Sequence, residues 1–178
     1  MDAFVADQEA QSALVELARL LCRTFAQGGK VLIAGNGGSM ADAIHFAEEW
    51  TGRFREDRRP YPALALADAC HLSCVGNDYG FDHVFSRMVA AFATSEDALF
   101  LLSTSGNSRN LVLAAEAGRA AGCRVVGFLG RGGGQLTEYC DIVVMAPGET
   151  ADRIQEIHMT CLHILIEAVE AELKNGVA

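Results

Sequence analysis

The sequence predicts an α/β fold in which a parallel sheet is covered by helices on both faces. Three observations carry this reading. Short unbroken apolar runs alternate with helix-length segments, each run empties into a loop or turn, most of them rich in Gly, Ser or Asn, and the same grammar recurs along all 178 residues. Strands that read as continuous apolar stretches are those buried on both sides, the condition of a parallel sheet. A chain of this length fits one ordinary domain with a two-sided core.

The elements follow in order. From about residue 3 to 27 apolar side chains recur at helical spacing, with Leu14, Leu17, Leu21 and Phe25 on one stripe, and Gly28-Gly29 ends the helix. Val31 to Ala34 is the first strand, running through Gly35-Asn36-Gly37-Gly38-Ser39 into a second helix. Ala63 to Leu66 is a further strand. Ala98 to Leu102 leads through Ser103-Thr104-Ser105-Gly106-Asn107-Ser108 into a helix of alanines and leucines. Arg124 to Leu129 leads into Gly130-Arg131-Gly132-Gly133-Gly134, and Asp141 to Met145 leads through Pro147-Gly148 into a long helix from about Thr150 to Lys174. Lys174 to Ala178 is expected to fray. In such sheets ligands sit beyond the carboxyl ends of the strands, so the loops after Ala34, Leu66 and Leu102, and the one before the last helix, are where function is sought.

Composition excludes several classes. A formal net charge of -9 and the lack of any basic patch argue against nucleic acid. No apolar run approaches the roughly 20 residues that span a bilayer, and the first residues carry no basic leader, so a soluble cytoplasmic protein without membrane contact is expected. The six cysteines are scattered; Cys70 and Cys74 flank His71, but no second pair completes a metal knuckle, and they read as incidental thiols.

The loop from Ser103 to Ser108 sets four hydroxyls and a glycine between a strand and a helix. There, free backbone N–H groups and the positive end of the helix dipole favour an anion, and hydroxyls can saturate a phosphate without Lys or Arg. A plain helix cap explains one or two of these residues but not four. Gly35 to Ser39 lacks the third glycine of the dinucleotide fingerprint, since Met40 stands in its place, and reads as a tight turn allowing close backbone approach to a ligand.

His45 and Glu49 are four apart on the second predicted helix and share a face. Gln155 and His163, on the last helix, can share one side. If they converge, His, Glu, Gln and His form an N/O set compatible with Zn²⁺. A carboxylate and an imidazole also supply what aldose–ketose isomerisation needs: one removes a proton from the carbon next to a carbonyl, the other shuttles a proton between the neighbouring oxygens. Taken alone, a His–Glu pair one turn apart is commonly a surface ion pair, His158 and His163 can be satisfied histidines beside an apolar stripe, and Glu48 reads as the solvated neighbour of Glu49.

At these residues the sequence resembles the phosphoheptose isomerases, which are sugar isomerase (SIS) domain enzymes. The matching segments are Gly35 to Ser39, His45-Phe46-Ala47-Glu48-Glu49-Trp50-Thr51-Gly52-Arg53, Cys74 to Phe81, Ser103 to Ser108, and Ala151-Asp152-Arg153-Ile154-Gln155-Glu156-Ile157-His158. The resemblance implies a single SIS domain over residues 1–178. It also implies a three-layer sandwich around a five-stranded parallel flavodoxin-like sheet, and a homotetramer with sites at subunit interfaces. The implied reaction interconverts sedoheptulose 7-phosphate and D-glycero-D-manno-heptose 7-phosphate through a cis-enediol. Glu49 matches the family's base and His163 its partner acid/base. His45, Glu49, Gln155 and His163 match its zinc ligands, and Asn36, Gly37, Gly38, Glu49, Asn77, Asp78, Ser103, Thr104, Ser105, Ser108 and Gln155 its substrate contacts. The N-terminal segment is shorter than in many members, which bears on assembly. Two other readings stand beside this one: a non-catalytic SIS adaptor, which would lack the carboxylate and histidine, and an isomerase of another sugar phosphate.

Overall fold

A computed structural model describes residues 2–174; of the tail expected to fray, residues 175–178 lie outside the described residues. Five strands, β1 (Val31–Gly35), β2 (Ala63–Ala65), β3 (Ala98–Ser103), β4 (Arg124–Gly130) and β5 (Ile142–Ala146), form one sheet in the order β2-β1-β3-β4-β5. Every pairing is parallel, with Ile33 opposite Phe100 and Phe100 opposite Val126 at the centre. This is the flavodoxin-like order, and it reverses between β1 and β3: the chain leaves β1 toward one edge and β3 toward the other, opening a crevice above their carboxyl ends.

The alternation within the strands sorts the core into two halves. Val31, Ile33, Phe100, Leu102 and Phe128 face the helices α2 (Gln8–Ala26), α3 (Gly38–Thr51) and α7 (Ala151–Lys174). Leu32, Ala34, Leu99, Leu101 and Val125 face α4 (Ala69–Asp78), α5 (Val84–Phe92) and α6 (Arg109–Ala120). The result is three layers. On α2 the predicted stripe of Leu14, Leu17, Leu21 and Phe25 is buried.

Two expectations are corrected. The first helix is not continuous from residue 3: a short α1 (Asp2–Val5) ends, and α2 begins after Asp7, whose carboxylate accepts from the backbone N–H of Glu9 at 3.0 Å and Ala10 at 3.1 Å. That N-cap restarts the helix where spacing alone suggested continuity. Between β2 and β3, where no helix is read from the sequence, the chain forms α4, a 3-10 turn (Phe81–His83) and α5. α5 buries Val84, Phe85, Met88 and Val89 at helical spacing, whereas α4 buries only Val75 and so leaves little apolar periodicity to read.

All six cysteines are unpaired; Cys70 and Cys74 are exposed on α4. Among the described residues no helix is long and apolar enough to cross a membrane.

Candidate active site

Helix α3 is launched directly from the β1 loop. Gly37 adopts φ +56°, a left-handed backbone that favours glycine, and Gly38 starts the helix. A Cβ on Gly38 would lie 2.7 Å from the Gln155 side-chain oxygen, so glycine here makes room for α7 to pack against the loop. The Gln155 amide donates to the Ser39 hydroxyl at 3.3 Å. Across the crevice Asn36 and Asn110, the latter in the first turn of α6, exchange side-chain amide hydrogen bonds of 3.0 and 2.9 Å. This reciprocal pair ties the loop after β1 to the loop after β3 at the point where the strand order reverses.

The serine loop divides its labour. The Ser103 hydroxyl, buried, accepts the Gly106 N–H at 3.0 Å and holds the turn closed. Asn107 spends its carbonyl on the Gln135 N–H at 3.0 Å and its amide on the Ser105 carbonyl at 2.9 Å, pinning this loop to the one after β4. Gly106 has φ +65°, and a Cβ there would overlap the Gly133 carbonyl at 1.7 Å, so no other residue fits. Ser108 is the N-cap residue of α6, yet its hydroxyl makes no capping bond. Thr104, Ser105 and Ser108 are all partly exposed beside that helix N-terminus.

The packing of α3 on α7 brings three of the predicted ligands together. Glu49 Oε1 lies 3.4 Å from His45 Nε2, and Oε2 lies 3.6 Å from His163 Nε2. The imidazoles meet edge to face with centroids 5.4 Å apart, and the Phe54 ring stacks on His163 at 5.6 Å. Ligand atoms of His45, Glu49 and His163 all lie within 4.8 Å of one another, the one such His/Cys/Asp/Glu group of three among the described residues. Glu49 is 7% exposed and its Oε2 has no hydrogen-bond partner, while the imidazoles are 47% and 38% exposed and open the cluster outward. Burial pushes the Glu49 carboxyl above its usual range, and the neighbouring His163 and His45 offset only part of this. Glu48 points outward at 62% exposure, as a solvated neighbour should.

Not every predicted residue joins this cluster. Gln155 hydrogen-bonds at the β1 loop. Asn77 and Asp78 sit at the exposed end of α4, where Asn77 donates to Asp78 at 2.7 Å, and α4 packs on the 3-10 turn and α5. His158 is fully buried, with Nε2 3.3 Å from the Leu129 carbonyl oxygen, and burial drives its pKa down to about 4, so it is a neutral core imidazole.

The profile described as "SIS domain" matches residues 3–130. The phosphoheptose isomerase of Fusobacterium nucleatum is 48% identical over 167 residues, covering 94% of this chain and 86% of that one. That of Edwardsiella ictaluri is 49% identical over 173 residues, covering 97% and 90%. The chain belongs to the phosphoheptose isomerase family of SIS-domain proteins. The solved structure of the phosphoheptose isomerase from Neisseria gonorrhoeae superposes with a TM-score of 0.85 at 38% identity, covering 92% of this chain and 90% of that one. The enzyme from Francisella tularensis gives 0.85 at 34% identity, covering 89% and 85%.

Sequence reasoning missed Asn110 and Arg58. Asn110 follows the serine loop by two residues and, next to Arg109 at the polar start of the helix, carries no distinguishing signal in the sequence. Arg58 sits in a run of charged residues that reads as solvated surface, yet its side chain is only 9% exposed.

Proposed function

We propose that the chain interconverts sedoheptulose 7-phosphate and D-glycero-D-manno-heptose 7-phosphate, with Glu49 as the carbon base and His163 as the oxygen acid/base. One observation carries this: a buried carboxylate with an unpartnered oxygen, held between two imidazoles. Glu49 takes the proton from C1 of the open-chain ketose, and the electron pair forms the C1–C2 double bond of a cis-enediol. The same carboxyl returns the proton to C2. His163 moves a proton from O1 to O2, so the aldehyde forms at C1 and no atom is gained or lost. A raised Glu49 pKa makes it a stronger base than an exposed carboxylate once ionised. The hydroxyls of Thr104, Ser105 and Ser108, with the N-terminus of α6, suit the phosphate; Ser103 holds their turn, and Asn36, Gly37, Gly38 and Gln155 flank the sugar.

Zinc fits the same residues. Tetrahedral bonds of about 2.0–2.2 Å place neighbouring ligand atoms about 3.3–3.5 Å apart; here the His–Glu distances are 3.4 and 3.6 Å, one to each oxygen of Glu49, and one ligand atom from each of the three residues lies within 4.8 Å of the others. His45, Glu49 and His163 would hold the ion; Gln155 stands about 12 Å before His163 along α7 and would be a fourth ligand only from a neighbouring subunit. Bound there, zinc would supply Lewis-acid stabilisation of negative charge on the enediol oxygens. A Glu49 fully committed to metal is not a free base, so occupancy below one ion per subunit is expected.

The assembly we propose is a homotetramer. A groove of about 490 Å³ between α2 and α7, lined by Leu14, Ala18, Cys22 and Ala168, is flanked by Val15 and Ile164, which are 53% and 44% exposed. A second copy would cover these side chains, and would offer Asn77 and Asp78 a route to a site their own subunit does not bring them to. Unpaired thiols throughout suit a cytoplasmic enzyme, and residues 1–178 act as one SIS domain. Incubation with sedoheptulose 7-phosphate in D₂O, followed by NMR, should show the aldose with deuterium at C2. Absence of turnover in a sample that light scattering shows to be tetrameric would favour the adaptor reading.

A further inference from the structure

Helix α3 ends two residues after Glu49, leaving its last carbonyls without intrahelical partners. Arg58, from the following loop, fills them. Its guanidinium donates to the carbonyl of Glu49 at 2.5 Å, of Trp50 at 2.7 Å and of Gly52 at 3.3 Å. Its Nε donates to the Glu170 carboxylate on α7 at 2.7 Å, both side chains being about nine-tenths buried. The rings of Trp50 and Tyr61 stand 5.6 and 5.4 Å from the guanidinium carbon. Glu170 follows His163 by seven residues, about two turns, so both point from α7 toward α3. One planar cation thus joins the backbone of the proposed base to the helix that carries its proton-transfer partner.

We propose that Arg58 is a positioning residue for the isomerisation, setting the separation of Glu49 from His163 by clamping the end of α3 to Glu170 of α7. This rests on Glu49 and His163 making the proton transfers. A planar fork with five N–H donors can meet several acceptors at fixed angles; an ammonium cannot. The clamp touches neither the β1 loop nor the serine loop, so it acts on turnover and leaves phosphate binding alone.

The test compares Arg58→Lys, Arg58→Met and Glu170→Gln with wild type in kcat, in KM for sedoheptulose 7-phosphate, and in folded fraction by circular dichroism. Arg58→Lys keeps the charge next to Trp50 and Glu170 and is expected to fold fully. Its kcat should nevertheless fall about tenfold to a hundredfold, the cost of misplacing a reacting group by around an ångström, with KM within about twofold of wild type. Arg58→Met should fall at least as far, and Glu170→Gln, which keeps a weaker acceptor, less far. Combining Arg58→Lys with Glu170→Gln should cost less than the product of the two single losses. Wild-type kcat in fully folded Arg58→Lys overturns the proposal and leaves Arg58 a structural cap, as does a kcat that only tracks folded fraction across the set. If Glu49→Gln itself keeps wild-type kcat, the underlying assignment of the base fails instead.

Discussion

Asp97 and Glu49 are both carboxylates taken out of water, at 2% and 7% exposure, and the molecule treats them in opposite ways. Asp97, just before β3 at the end of the sheet away from the crevice, has its acceptor sites filled: the Lys30 N–H at 2.8 Å, the Lys30 ammonium at 2.7 Å, the Thr94 N–H at 2.8 Å and the Thr94 hydroxyl at 3.0 Å. Burial alone would raise its pKa, but these bonds hold it below the usual range. Glu49 has two imidazoles at salt-bridge distance, one oxygen with no hydrogen bond, and a raised pKa. Saturating a carboxylate stabilises a fold; leaving one unsaturated keeps its lone pairs for a proton or a metal. The two carboxylates are therefore expected to separate stability from activity.

The largest test of that separation is at Glu49 and His163. Glu49→Gln keeps shape and reach but removes basicity, and His163→Gln removes the proposed oxygen proton shuttle. Each should lower kcat by at least about a hundredfold while the protein folds and still binds sugar phosphate. Substrate C–H exchange with D₂O should stop in Glu49→Gln, and exchange at the wild-type rate would remove Glu49 as the base. Its melting temperature at pH 8 should equal or exceed that of wild type. A group whose folded pKa is raised withdraws stability as pH rises through that pKa, and the amide has no charge to bury.

Next come the loop hydroxyls, which belong to neither carboxylate. Ser105→Ala and Ser108→Ala should each raise KM by about fivefold to 150-fold, equivalent to about 1–3 kcal/mol for a lost charge-assisted bond. Unchanged KM in both would put the phosphate elsewhere. Chelation probes the unsaturated site more gently: zinc is expected to copurify below one ion per subunit, and EDTA to reduce turnover severalfold without unfolding the chain. Full turnover by a preparation shown metal-free would make the ion incidental.

The same contrast explains what was legible in the sequence. The five strands and the serine loop are local, so apolar runs and hydroxyl spacing reveal them. The His45–Glu49 pair is also local, but its meeting with His163 depends on α3 packing against α7, which no spacing rule encodes; only the resemblance joined them. α4 escaped notice because just Val75 faces the core, and the break at Asp7 because a capping aspartate interrupts an otherwise continuous stripe. Asp97 and Arg58 look like ordinary surface charges in the sequence, since their burial comes from partners as far away as Lys30 and Glu170.

The smallest effect, and the other half of the comparison, is at Asp97. Asp97→Asn is nearly the same size, but its amide presents hydrogens to some of the Lys30 and Thr94 donors and no longer pairs with the Lys30 ammonium. Losing charge-assisted bonds of this kind costs about 1.5–3 kcal/mol, which in a domain of this length lowers the melting temperature by about 3–12 °C. The sign with pH follows from the lowered pKa. The contribution of Asp97 is fully present well above the ordinary Asp value of about 3.9 and is lost as pH falls through the folded-state pKa beneath it. The gap between wild type and Asp97→Asn in thermal melts should thus be widest near neutrality and narrow in acid, while kcat at 25 °C stays at the wild-type value because the side chain of Asp97 is bonded to Lys30 and Thr94 and to no residue of the proposed site. A constant gap across the acid range, or a loss of kcat in the folded variant, would show that the two carboxylates are not separate devices.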